Sequence, residues 1–449
     1  MRYSCVLLFL ILSSTGIAAD QQTERGVLAL SLKRAVQLAL SPEGNEQLQI
    51  SGESLKQAQA RSGQARAALL PDLSTSLGYR SQTLNLRANG LRFNIPTIPG
   101  FSFEFPSLVG PFNVMDARVS GTQSVFDISS IRRLQSAHAG ISAAKADLES
   151  MEERVAALVA RAYLSAIRAD TDVEMAHANV TLSQAVLTQA ENQKGAGTGT
   201  GIEITRARVQ LANDQQRLLV TENARRTAHL QLLRAMNQPL DQELDLTDKL
   251  GYVPVDAVTL ERAKTQALAE RPDLKAQQQR ETSSRLSSSA TKLERIPSLS
   301  AFGDYGSIGS GLGNALPTRV VGVMLRIPIF DGGRRDYRRT EAASQYRAEM
   351  VRTKELREQI ELDVRMALDA LHSAEEQVKV AREGLQLSEN ELAQARRRYE
   401  AGVSYSLEVT DAQTRLERAR DNQTEALYNY NLARIDLEQA MGHVRGSMQ

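Results

Sequence analysis

Tryptophan is absent from this 449-residue chain, aromatic residues make up only 4%, and cysteine occurs once, at Cys5. So few large rings exclude a broad aromatic-rich core; a chain heavy in Ala, Leu, Glu, Arg and Gln favours long, closely packed helices. Charge of one sign is also missing, with 54 basic residues against 53 acidic ones. That balance leaves no electrostatic footprint for nucleic acid and no polybasic membrane patch. Beyond the N-terminus no apolar run approaches the ~20 residues of a spanning helix, so contact with a bilayer would have to be made by strands.

The N-terminus reads as an export signal over residues 1–18. Arg2 precedes the apolar run Val6 to Leu12, and Gly16-Ile17-Ala18 supplies the small residues of a cleavage site before Ala19. Removal takes away Arg2 and Cys5, leaving 53 basic and 53 acidic residues and no thiol for a disulfide. Residues 19–449 are then one exported protomer.

That protomer is written twice. At an offset of 205 residues, Leu182 to Met236 matches Leu387 to Met441 at 15 of 55 positions without a gap. Phe126-Asp127 corresponds to Phe330-Asp331, and Pro71 to Pro297. Repeat one covers about 28–238 and repeat two about 256–443.

Within each repeat a seven-residue period marks the longest helix. Val364, Leu371, Val378, Leu385, Leu392 and Tyr399 alternate with Ala367, Ala374, Ala381, Ser388 and Ala395. The first repeat carries Val159, Ala166, Val173, Val180 and Leu187 in the same way. This seam implies left-handed supercoiling, and its alanines allow close backbone approach. An ordinary two-stranded coiled coil explains the period equally well. The helices run from about Asp127 to Lys194 and from about Asp331 to Glu400. At ~1.5 Å per residue each is on the order of 100 Å long, too long for a compact domain. Each turns at a glycine, Gly197 or Gly402, and returns through a second helix ending near Met236 or Met441.

Four stretches alternate as strands: about 72–82, 116–125, 298–308 and 319–329. Leu73, Thr75, Leu77 and Tyr79 share one face of the first, and Val321, Val323, Leu325, Ile327 and Ile329 one face of the last. Each is about 10 residues, which spans a bilayer when tilted. Four strands do not close a barrel, so closure requires several chains. Two isolated hairpins on a soluble protein would instead leave apolar faces and open edges in water. Leu84 to Asn113, with Pro96, Pro99, Pro106 and Pro111 among five phenylalanines, reads as an irregular loop.

The doubled layout, the Pro-Ile-Phe-Asp-Gly-Gly run at 328–333, and Tyr-Glu-Ala-Gly at 399–402 followed by Leu407-Glu408-Val409-Thr410-Asp411-Ala412 resemble the TolC family of outer-membrane efflux channels. The resemblance covers essentially the whole mature chain. It implies an α+β membrane protein and a homotrimer whose protomers share a 12-stranded barrel in the outer membrane lipid, with a helical tube reaching into the periplasm. It also implies an adaptor protein docking at the helical turns, here Ala196-Gly197 and Ala401-Gly402, and an inner-membrane pump supplying the energy. Acidic residues six and nine positions after the turn glycines would narrow the entrance. Those positions hold Glu408 and Asp411 after Gly402, and Glu203 with Arg206 after Gly197. Arg206 stands as a counter-charge, and Ser404 occupies the place of a family arginine that would lock the entrance.

No catalytic, cofactor or metal motif emerges. The five histidines are scattered, and Gly195, Gly197, Gly199 and Gly201 follow a helix without dinucleotide spacing. The expectation is a passive channel rather than an enzyme, with no cofactor. The alternative is a non-conducting periplasmic coiled-coil protein that bridges the envelope.

Overall fold

The computed structural model describes residues 27–41, 44–90, 106–254 and 259–447. The expected export signal and the middle of the Pro- and Phe-rich segment lie outside the described residues. In chain order the first half holds β1 (Leu28–Leu30), α1 (Leu32–Ala39), α2 (Glu46–Ala67), β2 (Asp72–Asn85), β3 (Leu108–Phe126), α3 (Ile128–Gly195) and α4 (Gly201–Ala235), with β4 (Leu244–Leu246) following the first repeat. The second half holds α5 (Leu260–Glu270), α6 (Pro272–Leu293), β5 (Ser298–Gly309), β6 (Leu316–Arg326), α7 (Arg334–Glu400) and α8 (Ser406–Met441), with α9 (Val444–Ser447) beyond the second repeat.

α3 and α7 run for 68 and 67 residues. α3 starts where the Asp127 carboxylate accepts the Ser130 N–H at 3.2 Å, satisfying one orphan donor of the first turn. Most heptad residues go inside: Val159, Ala166, Val173 and Leu187 on α3, and Val364, Val378, Leu392 and Tyr399 on α7, are buried, while Val180, Leu371 and Leu385 are half-buried. They face α4 and α8 respectively, so each repeat contributes one long antiparallel hairpin. On α8 the sevenfold set Ala412, Ala419, Ala426, Ala433 and Ala440 is also buried. The two hairpins meet along α3 and α8, where Arg161 pairs with Asp436 at 2.7 Å and the Arg168 guanidinium lies 5.0 Å from the Tyr428 ring centroid. Nearer the strands, α2, α3, α6 and α7 lie side by side. Midway along the tube, β1 and β4 form a short parallel pair that straps the hairpin.

The four long strands form one antiparallel sheet in the order β2-β3-β5-β6, so the repeats join where β3 meets β5. Register puts Leu73, Leu77, Tyr79, Val119, Tyr305, Val321, Val323 and Leu325 on one face, all exposed. Six of the seven charged strand residues, Asp72, Arg80, Asp116, Arg118, Asp304 and Arg326, fall on the other face; Arg319 is the exception. One face is therefore built for hydrocarbon and the other for water. The outer edges of β2 and β6 have no strand partner among the described residues.

Three strands differ in extent from expectation for identifiable reasons, and β2 runs to Asn85 rather than residue 82 along the same ladder that lengthens β3. β3 begins at Leu108 rather than near Asp116, because the ladder to β2 continues past a register shift at which Gly110 and Pro111 oppose Thr83. A bulge tolerates a proline that cannot donate to the ladder. Leu108 to Asn113 is thus strand, not loop. β6 covers Leu316–Arg326 instead of 319–329, since its partner β5 begins at Ser298, opposite Arg326, directly after Pro297. Likewise α7 starts at Arg334, three residues after Asp331. Among the described residues no helix is long and apolar enough to cross a membrane.

Candidate functional site

The hairpin ends lie at the opposite pole from the sheet. α3 closes with Gly197 at φ +77° and α7 with Gly402 at φ +72°, a left-handed conformation that disfavours other residues. The two turns use one hydrogen-bond pattern. Gly197 N–H donates to the Lys194 carbonyl and Thr198 N–H to Gln193, each at 3.0 Å; Gly402 N–H donates to Tyr399 and Val403 N–H to Arg398, again at 3.0 Å. Ala196, Gly197, Ala401 and Gly402 are all exposed, and a Cβ placed on either glycine would meet no atom within 4 Å. Around them Ile202, Val403, Tyr405 and Leu407 expose apolar surface at the tips.

The acidic residues expected at the entrance occupy three different settings. Glu203 is half-buried at the start of α4, where its carboxylate accepts the Thr200 N–H at 2.9 Å in a capping box. It also lies near Tyr399 of the other hairpin: burial, then the Glu203 charge, hold the Tyr399 hydroxyl above its ordinary value. That hydroxyl donates to Oε1 of Gln193. Glu408, in the first turn of α8, pairs with Nε of Arg398 at 3.1 Å. Asp411, one turn further along, is exposed; the Arg415 guanidinium is held above its ordinary value chiefly by its hydrogen bond to Glu391, and Asp411 adds a lesser contribution. Arg206 is exposed. The geometry therefore joins Glu203 to Tyr399 across the hairpins, whereas Glu408 turns back to its own hairpin. Ser404, in the place of the missing family arginine, has a buried hydroxyl with no partner among the described residues.

Sequence reasoning passed over Arg398, Tyr399 and Gln193 as parts of this cluster. Tyr399 was visible as a heptad residue and as the start of the Tyr-Glu-Ala-Gly turn, not as a hydrogen-bonding group, and the run Arg396-Arg397-Arg398 facing the acids that open α8 was the available signal. Among the described residues no group of three or more His, Cys, Asp or Glu stands together to hold a metal ion.

The family model described as outer membrane efflux protein matches residues 37–238 and 264–443. The pyoverdine export outer membrane protein OpmQ of Pseudomonas putida is 24% identical over 94% of this chain and 88% of its own. The outer membrane protein TolC of Vibrio cholerae is 21% identical over 84% of this chain and 83% of its own. Among solved structures, the CmeC outer membrane channel of Campylobacter jejuni superposes with a TM-score of 0.79 at 17% identity, over 92% of this chain and 85% of that one. VceC of Vibrio cholerae gives 0.74 at 18% identity, over 92% and 96%. The chain belongs to the outer membrane efflux protein family, and it is an outer-membrane efflux or secretion channel with a periplasmic tube rather than a non-conducting spacer.

Proposed function

We propose that three copies of this chain close one barrel of 12 strands and that the resulting duct passively carries cargo delivered by a periplasmic adaptor and an inner-membrane pump. The observation that carries the reading is the sheet itself: four bilayer-length strands, one apolar face, and two outer edges, β2 and β6, that are unpaired among the described residues of each chain. In lipid an open edge leaves backbone groups unsatisfied at several kcal/mol each, so the β2 edge of one protomer seeks the β6 edge of the next. The interface is head-to-tail, and it must close into a ring. Exposed Leu219 and Val220 on α4, and Met366 and Val380 on α7, offer apolar surface for the same contact lower in the tube.

At the far pole the exposed turns at Ala196-Gly197 and Ala401-Gly402 are where the adaptor docks, since they hold small residues that let another backbone approach. Glu408, Asp411 and Glu203, with Arg206 as counter-charge, line the entrance. The energy comes from the pump, because a duct lowers no chemical barrier. Mass measurement of the detergent-solubilised complex, paired with conductance in planar bilayers, tests the reading. A trimer that raises conductance is expected; a folded monomer or a complex that carries no current would overturn it.

A further inference from the structure

The middle of the sheet holds a charge cluster that the entrance does not explain. On β3, Arg118 clasps Asp116 through Nε and Nη2, both at 2.8 Å, and reaches across to Oδ1 of Asp304 on β5 with Nη1 at 3.0 Å. The strand register makes this reach possible. Gly306 stands directly opposite Arg118, and a Cβ there would lie 2.4 Å from the Ala117 carbonyl oxygen and 2.5 Å from the Arg118 Cβ. A larger residue would push the guanidinium off the sheet surface. All three charged side chains keep between 20% and 28% of their surface exposed, so water and ions reach them.

These residues share the polar face with Arg80, Asp72 and Arg326, three bases against three acids in all. Asp72 and Arg326 lie at the end of the strands that joins the helices, and Arg80 lies one rung beyond the cluster toward the opposite end. At mid-sheet, then, two carboxylates are held against one guanidinium. We propose that Arg118 sets the ion selectivity of the barrel: by holding Asp116 and Asp304 it keeps a mid-barrel ring from becoming a strong cation filter, independently of the acidic entrance. With Arg80 at the next same-face position of β2, the mid-sheet charges sum to zero per chain, and the ring of a trimer is neutral. Loss of Arg118 would take it to −3, and loss of both aspartate charges to +6. Rings of charged side chains set the selectivity of a pore in just this way.

The inference rests on the channel reading, and its test keeps the two apart. Reversal potential is measured in a salt gradient across planar bilayers, with trimer mass as the control for assembly. The background is Glu408→Gln with Asp411→Asn, so that the entrance does not dominate. Arg118→Gln should raise the permeability of potassium over chloride by about two-fold or more, and Asp116→Asn with Asp304→Asn should shift the reversal potential in the opposite direction. Arg118→Lys, which keeps the charge but loses the two-toothed clasp, should stay near the parent value. Where Arg118→Gln fails to assemble, the double aspartate variant carries the test alone. Unchanged reversal potentials in a conducting pore, or shifts of the same sign, would overturn the inference alone. A parent trimer that carries no current would overturn the channel reading together with it.

Discussion

Tyr163→Phe should loosen the strap across the tube without disturbing the heptad seam. Tyr163 is fully buried on α3, and its hydroxyl, with one proton to share, lies 2.8 Å from the Leu30 carbonyl and 2.9 Å from Oδ2 of Asp248. The same Asp248 oxygen accepts the Leu32 N–H at 2.8 Å, and the Leu30 carbonyl also accepts the Thr247 N–H at 3.0 Å. Removing the hydroxyl therefore orphans neither acceptor. The cost falls toward the lower part of the range for a hydrogen bond to a charged group, about 1 to 2 kcal/mol. Local opening of β4 should become roughly five- to thirty-fold more frequent, read as faster amide exchange at Thr247, whose N–H is bound by the Leu30 carbonyl, in the detergent-solubilised protein. Burial and the Asp248 charge hold the hydroxyl far above its ordinary value, so the difference between variant and parent should not change from about pH 5 to pH 9. Tyr163→Ala adds a cavity and should cost about 3 to 5 kcal/mol. Identical exchange at β4 in the Phe variant and the parent would refute the strap as a hydrogen-bonded unit.

The remaining predictions concern the tube and its tip. Ala426→Leu places a larger side chain at a buried seam position and should cost about 1 to 3 kcal/mol per chain, seen as a lower unfolding temperature than that of the exposed change Glu383→Leu. Arg382, on the same turn, is unsuited as that control because it sits 5.9 Å from the Tyr252 ring centroid. Burial and then Asp214 push Glu417 above its ordinary 4.5, and burial raises Asp172 above 3.8. A carboxyl group with a raised folded value adds stability that is complete below the ordinary value and is lost as pH rises through the raised one. The contact between the hairpins should thus be tighter at about pH 5 than at pH 7.5, and amide exchange along α8 should show a weaker dependence in Glu417→Gln, with Asp172 supplying the remainder. Glu408→Gln with Asp411→Asn should weaken the cation selectivity of the closed entrance; an unchanged reversal potential would leave them as helix-start acids. Bulky substitution at Gly402 should abolish export in cells while the trimer still assembles.

What could be read from the chain followed the range of the interactions. Seven-residue spacing is local, so the far end of α7 falls at Glu400 as expected and that of α3 at Gly195, one residue beyond Lys194. Strand alternation is local too, and it placed Leu73, Leu77, Val321 and Val323 on one face. Pro111 misled because a proline reads as a break, while the bulge opposite Thr83 absorbs it. β1 and β4, three residues each, carry too short a pattern to stand out, and Tyr163 lies on α3 outside the seven-residue set that includes Val159 and Ala166. Arg118 and Asp304 are 186 positions apart, and no spacing rule joins them. At the tip the acids at Glu203, Glu408 and Asp411 could be named, but Arg398 beside Glu408 depended on how α7 folds back onto α8, and Tyr399 beside Glu203 on how the two hairpins lean together.

The union of β3 with β5 has a kinetic meaning as well as a static one. Within β2 and β3, residue 82 pairs with residue 112, a loop of 30; between β3 and β5, residue 118 pairs with residue 306, a loop of 188. The longer closure costs roughly 1.6 kcal/mol more in chain entropy, before any contact rewards it. Each repeat can therefore form its own hairpins early, whereas the halves of the sheet join late, after most of the chain has been made. A newly exported chain passes through a stage with two apolar ribbons, four raw strand edges and no partner. Its survival to that stage depends on escaping aggregation, and the long polar-faced helices, folding first, keep it in solution while it waits.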